Sequence, residues 1–135
     1  MRSVEHKFDP EVLDEYNIKS DARRMGRDWY DDGLDSKRQL NSFIAHYANL
    51  LVSDRVPLEG RVTTTQHNEA VIITLDRQRR PAYSQSFVLR IKEQLNWNGG
   101  KKHFVDGFRN TVISMVLQVV DSAWQIAEEE NATRS

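Results

Sequence analysis

The chain has 135 residues, of which 39% are hydrophobic and 29% charged, and its formal net charge is -1. That length suits a single domain with a core of its own, and the composition is too apolar for general disorder. The absence of cysteine excludes disulfides, zinc-thiolate sites and thiol nucleophiles, and the near-zero charge means that attraction to nucleic acid or membrane must come from local patches.

The opening MRSVEHKFDP is mixed polar and lacks the basic start and apolar core of a signal peptide. No apolar run reaches the roughly 18 residues that a membrane helix needs. The expectation is a soluble, cytoplasmic protein.

Residues 1–8 read as a loose arm. Asp9 as N-cap and Pro10 at the first helical position open a short helix through Val12, Leu13 and Tyr16 that stops near Asn17. Ser20 or Asp21 caps a second helix, with Ala22, Met25 and Trp29 as its buried stripe and Gly33 as its end. Ser36 and Gln39 form a capping box ahead of Leu40, Phe43, Ile44, Tyr47, Leu50 and Leu51, so the spacing predicts a helix over 36–53. Pro57 and Gly60 end that regime.

From Arg61 the periodicity becomes two. The threonine-rich run from Val62 to Gln66 and the VIIT run from Ala70 to Leu75 predict a β-hairpin turning at His67-Asn68-Glu69. SFVLRIK fits either a strand or a helix stripe. A lone hairpin is marginal in water unless covered, which favours a third strand there. Asn96-Trp97-Asn98-Gly99-Gly100 reads as a turn.

The stretch from about Lys101 to Glu130 sorts its side chains cleanly on a helix. Val105, Phe108, Val112, Val116, Val119, Ala123 and Ile126 make one stripe, and Ile113, Leu117, Val120 and Trp124 make its neighbour. The apolar arc is nearly twice the width of an ordinary surface helix's, so it needs cover on two sides. The whole reads as one α+β domain over 1–135. It has N-terminal helices, a small antiparallel β-meander of two or three strands and a long C-terminal helix packed on the sheet, with 1–8 and 131–135 as loose tails.

Two basic patches stand out. Arg77, Arg79 and Arg80 fall in the loop after the second strand, where guanidinium groups suit phosphates or an acidic partner. The plainer reading is a solvated loop. Lys101 and Lys102 open the long helix against its macrodipole, a conflict that a bound anion would remove. The plainer reading starts the helix nearer His103. Tyr83 and Trp97 flank the patches and suit base stacking, although Trp97 equally suits the core edge. If both patches lie at one end of the sheet they form one basic surface, which Arg23, Arg24 and Arg27 extend.

Arg109 interrupts the wide apolar arc. Either its stem lies along apolar surface while its head reaches water, or it makes an interface ion pair. Asp28, Asp31, Asp32 and Asp35 lack the order of a calcium loop, and His6, His46, His67 and His103 make no metal-ligating pattern. His103 and Asp106 share a face, but no nucleophile elbow or other catalytic constellation accompanies them.

The expectation is therefore a non-enzymatic interaction or regulatory module, with no cofactor and no metal. It would form a homodimer or bind a protein partner through the long helix, using Arg109, Ile113, Leu117, Val120 and Trp124. The alternative is a nucleic-acid-binding accessory protein using the Arg77–Arg80 loop with Lys101 and Lys102.

Overall fold

A computed structural model of the chain describes residues 16–32, 37–67, 70–88 and 99–134. Helix α1 spans Ile18–Asp32 and α2 spans Lys37–Arg55. Strands β1, β2 and β3 span Arg61–His67, Ala70–Arg77 and Arg80–Val88, and α3 spans Gly100–Arg134. The predicted helix at Asp9, the capping serine Ser36, and Trp97 lie outside the described residues.

The turn Tyr16-Asn17 leads into α1. Asn17 takes a left-handed φ of 58°, a region asparagine tolerates better than most residues, and its carbonyl accepts the Asp21 N–H at 3.0 Å. The helix thus begins two to three residues before the expected caps. Ile18, Ala22, Gly26 and Trp29 form its buried side.

Helix α2 buries Leu40, Ile44, Tyr47 and Leu51 of the predicted stripe together with Ala48 and Val52, while Phe43 and Leu50 are only partly buried. Tyr47 donates its hydroxyl to the Asp21 carboxylate, joining α2 to α1. Burial, then that hydrogen bond, pushes the Tyr47 phenol well above its ordinary range.

The sheet is an antiparallel meander in the order β1-β2-β3. Alternation sends Val62, Val71, Ile73 and Leu75 into the core. On the opposite face the hydroxyls of Thr74 and Ser84 meet across strands at 2.9 Å. The third strand starts earlier than SFVLRIK suggests. Gln78 and Arg79 alone make the turn, and β3 already pairs at Arg80 with Arg77. Residues 89–98 are outside the described set.

One edge of the sheet is covered by α2. Asn49 accepts the Val62 N–H through Oδ1 at 2.5 Å and donates Nδ2 to the Val62 carbonyl at 2.7 Å. A single amide side chain thus does for β1 what a neighbouring strand would.

Helix α3 packs on both α1 and α2 and shares one core with the sheet's inner face. Its arc is wide because several layers of the same chain cover it. It also runs on to Arg134, where a frayed tail was expected from 131.

Candidate functional site

Helices α1 and α3 meet along an aromatic seam. The Trp29 ring lies tilted at 5.3 Å from Phe108, and Tyr30 likewise at 5.4 Å from Phe104. Gly26 lets the helices approach. A Cβ there would stand 3.1 Å from Cδ1 of Phe108.

Above this seam, Lys19, Arg23 and Arg27 recur every four residues on one stripe of α1, so each cation follows the last after roughly 6 Å of helix axis. Arg109 of α3 faces them. These four, with Asn17 and Ser20, line an open recess of about 640 Å³, and none of the described residues lining it is a carboxylate. Arg23 has Asp106 at 3.9 Å, with both side chains largely exposed. A contact that long between exposed groups is weak. Arg109 makes its own contacts to Asn110 Oδ1, at 3.3 and 3.2 Å.

A second recess of about 470 Å³ adjoins the first through Lys19 and Arg109. It follows α3 past Ile113 and Leu117, with Ser114 and Gln118 on its rim and Asp121 at its far end. The two together form a trough, basic at one end and mixed apolar and polar at the other.

The expected interface stripe divides here. Arg109, Ile113 and Leu117 border the trough, but Val120 is completely buried and cannot meet a partner from where it sits. Trp124 is half-buried and packs against the core. Val120 and Trp124 are taken up inside the chain, where α1 and α2 both lie on α3.

The two expected basic patches do not combine. Arg77 and Arg80 lie near Glu130, while Lys101 opens α3, 29 residues earlier, which is roughly 43 Å along a helix. Nor is Arg77 a free loop cation. It belongs to β2, its side chain is 7% exposed, and it donates from both terminal nitrogens to Glu130. Those hydrogen bonds, followed by the attraction of Arg77 and Arg80, hold the Glu130 carboxyl down at about 2, and the same pairing raises Arg77 above its ordinary range. Arg80 reaches Glu130 at 2.7 Å, and Lys101 pairs with Asp31 at 2.8 Å. Arg79, Tyr83 and Lys102 are exposed, but they do not converge.

Of the helix-borne arginines, Arg24 turns to Asp21 at 3.6 Å instead of the recess. Lys19 had no place in the sequence reading. Its signal was the four-residue spacing to Arg23 and Arg27, which becomes visible once α1 is started at Ile18.

Among the described residues, no group of three or more His, Asp or Glu side chains is placed to hold a metal ion, and no helix is long and apolar enough to cross a membrane. No family model matches the chain, and neither a curated protein nor a solved structure matches it.

Proposed function

We propose that the chain is a non-enzymatic interaction module that docks an acidic protein partner on its α1–α3 face, with the long helix supplying Arg109, Ile113 and Leu117. The observation that carries this reading is the recess in which Lys19, Arg23, Arg27 and Arg109 converge, with no carboxylate among the described residues of its lining, in a chain whose net charge is -1. Locally concentrated charge of one sign steers oppositely charged partners and fixes their register.

The nucleic-acid alternative loses its expected footing, since the Arg77–Arg80 and Lys101–Lys102 patches lie at opposite ends of α3. The trough itself also fits a long polyanion poorly, because Asp121 closes its far end.

The test is fluorescence anisotropy with labelled poly-L-glutamate at low and moderate salt, on the wild type and on Arg27→Glu/Arg109→Glu. The wild type should bind, binding should weaken as salt screens the charges, and the double variant should lose it while keeping its circular dichroism. A wild type that ignores poly-L-glutamate, or a double variant that binds equally well, would overturn the reading.

A further inference from the structure

Resting on that reading, we infer that the trough receives an acidic amphipathic α-helix of the partner, with carboxylates repeating every four residues along one edge and apolar side chains beside them. The register follows from α1. Lys19, Arg23 and Arg27 lie one helical repeat apart, and a helix laid alongside offers glutamates at the same spacing of roughly 6 Å. An extended acidic segment would bring successive same-side carboxylates past at about 7 Å, a match that worsens with each step. Across from this row, Arg109 supplies a guanidinium fork that pairs with a carboxylate through two hydrogen bonds.

The apolar part of the partner is set by α3. Beyond Arg109 the trough floor is the half-buried Leu117 and the edge of Ile113, a core residue that is 9% exposed, with Ser114 and Gln118 on the rim. An amphipathic helix laid in a groove uses anchors at this helical spacing. A purely anionic ligand leaves that half unused. A phosphate backbone meets cations only from Lys19 to Arg27, about 12 Å of helix, before it approaches Asp121.

Three probes decide the matter in one anisotropy series on the intact chain. The first is an 18-residue helical peptide with glutamate at i, i+4 and i+8 and leucine on the adjoining face. The second has the same composition with the glutamates moved out of that register, and the third is a DNA duplex of similar length. The in-register peptide should bind at least roughly tenfold tighter than the permuted one. Arg23→Glu/Arg27→Glu should abolish its binding and accept instead the same peptide with lysine in place of glutamate. Both arginines are exposed, so this variant should keep the wild-type melting curve. Equal affinity for the two acidic peptides would overturn the helical register and leave the anionic-partner reading intact. Tighter binding to the duplex would overturn the inference in favour of a phosphate ligand. Failure of all three probes, and of poly-L-glutamate, would overturn both.

Discussion

Arg77 of β2 holds Glu130 of α3 in a two-pronged ion pair, while its Nε donates to the Glu59 carbonyl at 3.1 Å. One guanidinium therefore ties the end of the hairpin, the segment before β1 and the far end of the long helix together. Arg80 joins the same carboxylate from the other side of the turn. Arg77→Ala should lower the urea midpoint clearly more than Arg80→Ala, because Arg77, 7% exposed, gives up hydrogen bonds to both Glu130 and Glu59, whereas Arg80, 42% exposed, gives up an exposed contact to the same carboxylate. Equal midpoints would mean that the clamp does not hold the hairpin.

The same pair predicts a pH profile. Glu130 is held at about 2 against an ordinary value of 4.5. A carboxyl whose folded value is depressed stabilises the folded state fully above its unfolded value and loses that contribution as pH falls. Thermal stability should therefore decline from about pH 4.5 towards pH 2 through this group, and Glu130→Gln should flatten that part of the profile. An unchanged acid limb in Glu130→Gln would contradict the assignment.

Gly26 lies against the Phe108 ring, which is fully buried and has Trp29 at 5.3 Å and Phe104 at 6.1 Å. Alanine would gain about 1 kcal/mol of helix propensity, but its methyl must displace a ring that has little room to move. Overpacking of this kind costs about 1–3 kcal/mol, so Gly26→Ala should be net destabilising by roughly 1 kcal/mol in denaturant titration. A stabilised variant would show that the seam gives way.

Asn49→Ala removes both hydrogen bonds to Val62 and leaves that backbone N–H and carbonyl without their edge partner. The expected loss is about 2 kcal/mol, with faster amide exchange at Val62. Asn49→Asp keeps the acceptor and should fall between the two. No change in exchange at Val62 would refute the edge-covering role.

Much of the fold was legible because its signals are periodic. The stripes of α2 and α3 and the alternation of β1 and β2 follow directly from Leu40, Ile44, Val112, Val116, Val62 and Ile73 and their neighbours. The start of β3 was not legible. Its turn uses Gln78 and Arg79, and Arg79 takes a left-handed φ of 64°, where glycine or asparagine is the usual sign. The breadth of α3's arc was visible, but not what covers it. A second copy and a second layer of the same chain leave the same pattern in sequence, and Val120 is fully buried within the chain itself.

The candidate site was legible only in pieces. Arg109 stood out as a cation in an apolar arc, and Arg23 and Arg27 as nearby basic residues. Their convergence depends on how α1 lies on α3, which the Gly26–Phe108 contact sets and no local spacing reveals. Whether the patches at Arg77 and Lys101 share one end was not legible either, and the α3 helix holds them apart.

The most direct measurement is an NMR titration of the labelled protein with the in-register acidic peptide, following backbone amides and arginine Nε–H signals. The account predicts the largest shifts at Arg23, Arg27 and Arg109, with smaller ones at Ile113 and Leu117. Shifts confined to Arg79, Tyr83 and Lys102, or none on the α1–α3 face, would contradict it.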